Sequence, residues 1–255
     1  RSGLNRWGPT WCSIPRDTMQ AGIPSVTPVV LAGGKGTRLA SVCPDNPKVI
    51  VPVHGRPFVT FLLDQLVRAG FRDVVLCIGY MADRVMEEIG DHHGQLLIRY
   101  SRESEPLGTG GAIRQALDHV ETDTVLAMNG DSFVDLDFAE YVAWHASRSH
   151  DASLVLVEVP DTSRYGRITL GKGGRVVAFE EKGQAGAGWV NGGIYQFSRH
   201  LLESVLPPGT CSLERDILPD LLSRGLYPYK RHGAFIDIGT PESYAKAESV
   251  LAAGL

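Results

Sequence analysis

The sequence predicts an α/β fold with a mostly parallel central sheet, and two kinds of segment support this prediction. Apolar runs at Val29–Ala32, Asp73–Gly79 and Thr124–Met128 have the composition of strands buried on both faces. Phe58–Gly70 is an amphipathic stretch that ends in glycine, as helices often do. Because strands and helices alternate at short spacing, we expect a sheet covered by helices on both faces, in three α/β/α layers.

The remaining segments continue this alternation and change character after residue 150. In chain order we predict a helix at Tyr80–Gly90, a strand at Leu96–Tyr100, a helix at Gly108–Val120, a β-rich segment at Ala152–Val159, a hairpin at Gly166–Glu181, a strand at Trp189–Phe197, a helix at Ser212–Ser223, a strand at Ala234–Ile238 and a helix at Pro241–Leu251. The second half is expected to extend the sheet and to form a β-rich lobe over a second substrate. Since no Gly/Ser linker interrupts the chain, we predict one domain over residues 27–255 after an irregular arm over residues 1–26.

Composition excludes several classes of partner. A net charge of −4, with both signs scattered, gives no electrostatic case for nucleic acid or a membrane surface. No stretch approaches the ~20 apolar residues of a membrane helix, and no apolar signal segment is evident near the start. The four cysteines (Cys12, Cys43, Cys77 and Cys211) form no C-x-x-C pair, and Cys77 is expected to be a free buried thiol. This usage predicts a reduced, cytoplasmic protein.

The first strand runs into a glycine-rich turn, VVLAGGKGTRL, at residues 29–39. Closely spaced glycines allow backbone N–H groups to surround an anion, and a helix beginning near Thr37 would add its positive end. We therefore predict a phosphate cradle whose nucleotide-binding residues are Leu31, Gly33, Gly34, Gly36 and Thr37. The P-loop spacing is absent, and Leu39 stands where the dinucleotide fingerprint needs its third glycine. A tight turn without a ligand is the alternative.

Two cations lie in or shortly after this turn. Arg38 can place two parallel N–H groups on phosphate oxygens, which suits a departing pyrophosphate. Lys48 follows Pro47 and is expected to reach the reacting phosphate. We predict both side chains to be catalytic; solvated surface charges are the alternative.

Two aspartates follow apolar strands at their carboxyl ends, where open α/β sheets bind ligands. Asp131 ends the run TVLAMNGD, and Asp237 lies in FIDIG. Mg²⁺ takes one or two carboxylates and fills its other positions with water and phosphate oxygens, so we predict both residues to be metal ligands. A helix N-cap is the alternative for each, although Thr240 would cap the last helix equally well.

Eight fragments together resemble the sugar-phosphate nucleotidyltransferase family from about residue 27 to the C-terminus: LAGGKGTRL, NPK, EPLGTGGAI, MNGDSFVD, RYGRI, FEEK, VNGGIY and FIDIGTPESY. The family implies a Rossmann-like core, Mg²⁺, and one in-line displacement without a covalent enzyme intermediate. It also implies roles for Arg38 and Lys48 on phosphates, for Asp131 and Asp237 on the metal, and for Lys182 on the sugar phosphate.

Within the family, EPLGTGGAI, NGGIY and FIDIGTPESY resemble most the branch that transfers GMP from GTP to D-glycero-D-manno-heptose 1-phosphate. The resemblance implies that GTP and this sugar 1-phosphate are the partners, and that the product serves cell-surface polysaccharide synthesis. Mannose 1-phosphate with GTP, or a hexose 1-phosphate with a uridylyl or thymidylyl donor, stays open. The oligomeric state is left open between a monomer and a homodimer.

The second substrate is expected to contact polar residues of the later chain. Lys182 would pair with the sugar phosphate, Glu180 would accept sugar hydroxyls, and the Asn191 amide would bind a hydroxyl because a buried amide without a partner is costly. Gly166 allows close approach of the backbone, and Asn129 completes this predicted set. A solvated charge triplet is the alternative for Glu180 to Lys182.

The base is expected to lie near Glu103 and Gly108. A carboxylate that accepts two parallel donors matches the N1–H and the exocyclic amine of guanine, and does not match uracil or thymine. A solvent-exposed loop glutamate is the alternative.

Two rival functions differ in class. A catalytically silent regulatory homologue would be expected to lose Arg38, Lys48 or an aspartate, and all are present. A nicotinamide-dependent oxidoreductase would need an acidic residue after the second strand, where Gly79 and Tyr80 stand.

Overall fold

The architecture is a central sheet between two helical layers, in a computed structural model that describes residues 26–39, 42–43, 46–148 and 150–252. The strands are β1 (Val26–Leu31), β2 (Pro52–Val53), β3 (Arg56–Pro57), β4 (Asp73–Ile78), β5 (His92–His93), β6 (Leu96–Arg102), β7 (Thr124–Asn129), β8 (Ser132–Val134), β9 (Ala152–Val159), β10 (Ile168–Leu170), β11 (Val176–Phe179), β12 (Gly188–Ser198), β13 (Tyr227–Arg231) and β14 (Phe235–Asp237). The helices are α1 (Val59–Arg68), α2 (Ala82–Ile89), α3 (Gly108–Ala116), α4 (Phe138–Ala146), α5 (Arg199–Val205), α6 (Leu218–Arg224) and α7 (Pro241–Ala252). The arm predicted over residues 1–26 lies outside the described residues, apart from Val26, which begins β1.

Eight strands form the central sheet in the order β13-β9-β12-β7-β1-β4-β6-β5. The four strands β7, β1, β4 and β6 are mutually parallel, whereas β12 runs antiparallel to both of its neighbours. The predicted mostly parallel sheet and its extension by the second half of the chain are therefore confirmed.

Each parallel strand buries both of its faces. Val29 and Val75 pack into the hydrophobic core beneath α3, α5 and α6, while their neighbours Val30 and Leu76 pack into the core beneath α1, α2, α4 and α7. All four side chains are completely buried. Because adjacent residues point to opposite faces, a strand covered on both sides must be apolar at every position, which is the pattern seen in the sequence.

Most predicted elements are present, and one prediction is wrong. The amphipathic segment forms α1, the predicted hairpin forms β10 and β11, and Gly90 ends α2 with a φ of 75°. Thr37 to Leu39, where a helix was expected to begin, form a turn instead, closed by a hydrogen bond from the Leu39 N–H to the Gly36 carbonyl. Cys77 is a buried free thiol, as predicted. No helix within the described ranges has the length and apolarity needed to cross a bilayer.

The strand order creates a crevice beside β1. The chain proceeds from β1 to β4 and β6 on one side, and then returns to place β7 on the other side. Leu31 and Asn129 are directly paired where β1 and β7 end. Connections that leave two adjacent strands in opposite directions open a crevice at the carboxyl ends, and ligands of open α/β sheets bind there.

Candidate active site

A cavity of about 600 Å³ opens at the carboxyl ends of β1, β4, β6 and β7. Seven of the predicted site residues line it: Leu31, Gly33, Gly34, Glu103, Gly108, Asn129 and Asp131. The first turn of α3 forms part of its wall through Gly108 and Thr109. The helix N-terminus at this cavity is therefore that of α3, not the one expected near Thr37.

Glu103 lies against the glycine-rich turn. A Cβ on Gly33 would stand 2.4 Å from Oε1 of Glu103, so a side chain at this position would displace the carboxylate. The other carboxylate oxygen, Oε2, accepts a 2.9 Å hydrogen bond from the Leu107 N–H. Burial raises the pKa of Glu103 above its ordinary value, and the Leu107 hydrogen bond opposes that rise. One carboxylate oxygen therefore remains for a ligand in the cavity.

The turn also packs against Lys48. Gly36 has a φ of 60°, and a Cβ there would stand 3.0 Å from the Cβ of Lys48. Thr37 and Arg38 follow on the exposed side of the turn, outside the cavity lining. The glycine-rich turn therefore packs against Lys48 at Gly36, whereas Arg38 lies at the surface.

Lys48 joins the two aspartates that were predicted as metal ligands. Its Nζ contacts Oδ2 of Asp131 closely and lies 3.5 Å from Oδ1 of Asp237. The lysine side chain is 10% exposed, against 35% for Asp131 and 27% for Asp237. The ammonium group therefore reaches the carboxylates from the protein side and leaves their outer edges open to solvent.

Neither aspartate is a helix cap. Asp131 is followed by strand β8, and α7 is capped by Thr240, whose Oγ1 accepts from the Ser243 N–H at 3.4 Å. Asp237 ends β14, which pairs with β8 in a small two-stranded sheet and not with the central sheet. Its Oδ1 accepts a 2.6 Å hydrogen bond from the Gly239 N–H.

Arg164 is a second cation at Asp237 that the sequence did not indicate. Its Nη2 lies 3.7 Å from Oδ2 of Asp237 and donates to the Asp237 carbonyl oxygen at 3.1 Å. The same nitrogen donates to Ser243 at 3.0 Å, so the guanidinium links the residues before Gly166 to the start of α7.

Two carboxylates that share one ammonium group have the charge and the hard oxygen donors that suit Mg²⁺. Within the described ranges, no three or more His, Cys, Asp or Glu side chains lie close enough together to hold a metal ion by themselves. Asp131 and Asp237 therefore fit an ion held jointly by the protein and by phosphate oxygens, and do not form a closed structural metal site.

Three of the predicted sugar-side residues cluster in the hairpin lobe. Gly166 has a φ of 82°, and a Cβ there would stand 2.6 Å from the carbonyl oxygen of Glu180. The Glu180 side chain accepts a close hydrogen bond from Thr169, and Lys182 is exposed just beyond β11. This cluster lies outside the lining of the 600 Å³ cavity.

The two asparagines lie on neighbouring strands: Asn129 ends β7, and Asn191 lies at a bulge in β12. Asn191, which was expected to need a ligand as its partner, already donates to the Tyr195 hydroxyl at 2.8 Å and accepts from the Gly193 N–H at 2.9 Å. By contrast, Oδ1 of Asn129 is buried without a partner, and Asn129 lines the cavity. A Cβ on Gly193 would stand 2.8 Å from Nδ2 of Asn129, so the two segments are in contact. The unsatisfied amide is therefore that of Asn129.

Sequence reasoning missed several residues of the cavity wall. Tyr80 lies two residues after the end of β4, and the rule that ligands bind at carboxyl ends of parallel strands would have indicated it. Thr109 donates a 2.6 Å hydrogen bond to Glu214, which is 105 positions away, and no local pattern reveals such a pair.

Comparison with known proteins decides the family. A family model described as nucleotidyl transferase matches residues 27–254, which is nearly all of the described chain. The chain belongs to the nucleotidyl transferase family. The resemblance found in the eight sequence fragments is thereby confirmed.

Named relatives of this nucleotidyl transferase are sugar-1-phosphate guanylyltransferases. D-glycero-alpha-D-manno-heptose 1-phosphate guanylyltransferase of Aneurinibacillus thermoaerophilus is 34% identical over 88% of this chain and 97% of that protein. Mannose-1-phosphate guanylyltransferase of Mycobacterium tuberculosis is 35% identical over 90% of this chain, which spans 66% of that longer protein.

A solved structure shows the same fold. The crystal structure of HddC from Yersinia pseudotuberculosis superposes with a TM-score of 0.80 at 35% identity, over 88% of this chain and 99% of that one. The same protein complexed with GMP-PN superposes with a TM-score of 0.79 at 34% identity, over the same shares of both chains.

Proposed function

We propose that this nucleotidyl transferase transfers GMP from GTP to D-glycero-D-manno-heptose 1-phosphate. A phosphate oxygen of the sugar 1-phosphate attacks the α-phosphorus of GTP, the bond between the α-phosphorus and its bridging oxygen breaks, and pyrophosphate leaves. GDP-heptose is the product. The attacking oxygen is already anionic, so the reaction requires alignment and charge neutralisation and no general base.

One observation carries the proposal: the cavity beneath the glycine-rich turn meets the acidic pair at Asp131. Asp131 lines the cavity and is also bound to Lys48, which approaches Asp237. A nucleotide in the cavity would therefore present its phosphates to a lysine and two carboxylates. This arrangement suits the transfer of a nucleotidyl group from one anion to another, because positive charge stands where the negative charges meet.

Each predicted residue has a role in this scheme. The backbone of the glycine-rich turn and Arg38 receive the β- and γ-phosphates, and Lys48 receives the α-phosphate. Asn129 and Asn191 contact the sugar, Glu180 accepts its hydroxyls, and Lys182 pairs with its phosphate. The unpartnered Oδ1 of Asn129 supports a ligand hydroxyl at that point.

Asp131 and Asp237 would hold Mg²⁺. When bound, the ion supplies positive charge at the phosphates, where the reaction brings two anions together. The protein's own contribution is to hold Lys48, Asp131 and Asp237 within one contact network, so that the cationic and anionic groups are aligned before the substrates arrive.

The choice of GTP rests on Glu103 and on the relatives. Glu103 lines a cavity in which a base can be bound, and its remaining oxygen can accept from one of the two adjacent donors of guanine. The heptose assignment follows the relative from Aneurinibacillus thermoaerophilus, which is matched over 97% of its length. Mannose 1-phosphate is the second candidate because a mannose-1-phosphate guanylyltransferase is equally similar.

A pyrophosphate-release assay tests the proposal. Four nucleoside triphosphates are crossed with heptose, mannose, glucose and N-acetylhexosamine 1-phosphates, with Mg²⁺ present. We expect the highest kcat/KM for GTP with the heptose substrate. Faster turnover of mannose 1-phosphate would replace the sugar assignment, and a preference for UTP or TTP would contradict the role of Glu103.

Localisation in the cytoplasm and assembly state are further predictions. Charged nucleotide substrates and free cysteines are consistent with a cytoplasmic enzyme. Light scattering of the purified protein distinguishes a monomer from a homodimer.

A further inference from the structure

A series of polar contacts links the nucleotide cavity to the proposed sugar site. At the cavity wall, Thr109 donates to Oε2 of Glu214 at 2.6 Å. The charge of Glu214 lies close enough to the Tyr195 hydroxyl to raise its pKa, and that hydroxyl accepts from Nδ2 of Asn191 at 2.8 Å. The connection therefore passes from α3 through the helical turn Leu213–Ile217 to strand β12.

Tyr195 is the buried centre of this series of contacts. Its side chain is completely buried, and its ring stacks on Phe197 with the centroids 5.8 Å apart. Burial and the nearby charge of Glu214 raise the pKa of Tyr195 well above its ordinary value, so the hydroxyl remains protonated. A hydroxyl fixed in this way has an oxygen lone pair directed at the Asn191 amide.

This contact determines which way the Asn191 amide faces. Its NH₂ group donates to Tyr195, and its oxygen accepts from the Gly193 N–H at 2.9 Å. Reversing the amide would place its NH₂ group against the Gly193 N–H. One N–H and one oxygen lone pair of Asn191 remain for a ligand.

The local backbone makes these side-chain bonds important. The register between β12 and β9 shifts between Asn191 and Tyr195, so the strand ladder is irregular at the point where Asn191 lies. Gly193 in this bulge has a φ of 73° and contacts Asn129. The position of Asn191 therefore depends on the Tyr195 hydroxyl as well as on strand pairing.

We propose that Tyr195 and Glu214 are positioning residues that hold Asn191 for the sugar 1-phosphate and tie its orientation to the nucleotide-binding turn of α3. The inference rests on the proposed function, since it takes Asn191 to contact the sugar. Neither residue touches a substrate. Their effect is on the affinity of the second substrate after the first has bound.

Tyr195→Phe tests the inference because it deletes only the hydroxyl. We expect the KM for heptose 1-phosphate to rise about tenfold, which corresponds to the loss of about one hydrogen bond, and the KM for GTP to stay within twofold. The matched control is Tyr141→Phe: Tyr141 is also completely buried, and its hydroxyl bonds Ser153 at 2.9 Å. The control should lower stability without changing either KM.

Glu214 gives a second test that does not depend on the first. Glu214→Gln keeps an acceptor oxygen and should retain both KM values within about threefold. Glu214→Ala removes both the acceptor from Thr109 and the charge beside Tyr195, and it should raise both KM values. Calorimetric titration of heptose 1-phosphate into each variant, saturated with a non-hydrolysable GTP analogue, measures the same loss without turnover.

The outcomes separate the two proposals. Equal KM values for wild type and Tyr195→Phe, or equal changes in Tyr195→Phe and Tyr141→Phe, would overturn the positioning role while leaving the reaction intact. If wild type uses another sugar 1-phosphate, only the sugar assignment fails and the variants are measured with that substrate. A wild type that releases no pyrophosphate with any pair of substrates would overturn both proposals.

Discussion

At the scale of single residues, the charged centre consists of one lysine shared by two carboxylates. Lys48 is the most buried of the three side chains, and it binds Asp131 and approaches Asp237 from the protein side. Removing Lys48 would leave two carboxylates facing each other, which is costly where solvent is partly excluded. The three residues should therefore respond to substitution as a unit.

Lys48→Met should bind divalent metal more tightly in the absence of nucleotide. The ammonium group competes with any cation for the same two carboxylates, and its removal leaves them unneutralised. We expect the Mn²⁺ affinity, measured by electron paramagnetic resonance, to rise about tenfold or more, while kcat falls by at least about a hundredfold. Lys246→Met, at an exposed position of α7, is the control. Unchanged Mn²⁺ affinity would show that Lys48 does not occupy the cation position.

Glu103→Gln should weaken selection of the guanine base. The amide has one oxygen and a donor NH₂ group, which conflicts with one of the two guanine donors. We expect kcat/KM for GTP to fall about 10- to 100-fold, the size expected for hydrogen bonds to a charged group. ITP, which lacks the exocyclic amine, is the comparison substrate. The ratio of GTP to ITP turnover should shrink in the variant, and an unchanged ratio would contradict contact between Glu103 and the amine.

At the scale of elements, α3 is held at the cavity by a glycine contact with the segment before α6. The N–H groups of Gly110 and Gly111 donate to the Cys211 carbonyl at 2.8 and 3.2 Å. Gly108 has a φ of 70°, and a Cβ there would stand 2.6 Å from the same carbonyl oxygen. The glycines of EPLGTGGAI therefore allow the backbone of α3 to approach that of Cys211 closely, and Gly108 also lines the cavity.

Gly108→Ala should therefore displace the first turn of α3. The strained φ and the close contact together should lower the free energy of unfolding by about 2 to 4 kcal/mol and raise the KM for GTP. Gly173→Ala is the matched control, because Gly173 has a φ of 91° and nothing lies within 4 Å of the added methyl group. It should cost about 1 kcal/mol and leave the KM for GTP unchanged. Urea denaturation and initial-rate kinetics measure both quantities, and equal effects of the two substitutions would argue against the contact.

At the scale of the whole molecule, a buried histidine makes stability depend on pH. His145 of α4 is 5% exposed, and its Nδ1 lies 2.7 Å from the Ser153 hydroxyl of β9. Burial, aided by the nearby His150, lowers the pKa of His145 to about 4 from its usual 6.5. The unfolded chain therefore binds a proton between these values that the folded chain does not.

The free energy of unfolding should accordingly be unaffected by His145 above about pH 6.5 and should fall as the pH drops from 6.5 towards 4. The contribution of this one group is at most about 3 kcal/mol. His145→Gln should show a smaller loss over the same range, measured by urea denaturation at several pH values. His200→Gln, on the exposed side of α5, should retain the dependence of the wild type. Identical curves for His145→Gln and wild type would contradict the prediction.

Much of the fold and part of the site were predictable because their causes are local. Val29, Val75 and their neighbours are apolar at consecutive positions because strands covered on both faces exclude polar side chains. Local sequence likewise predicted the hairpin around Gly173 and the glycine that ends α2. It failed at Thr37, where the chain forms a turn, because glycine-rich sequences allow both a turn and a helix start.

The sequence by itself determined the family, the parallel strands and the identity of the residues at the strand ends. The tertiary structure alone decided that Lys48 lies between Asp131 and Asp237, that Asn129 and not Asn191 holds the unsatisfied amide, and that Tyr195 connects to Thr109 through Glu214. The physical reason is one of range. Strand and turn preferences arise between near neighbours in the chain. Charges and hydrogen bonds are instead satisfied by whichever groups the strand order brings together, as with Lys48 and Asp237, which are 189 positions apart.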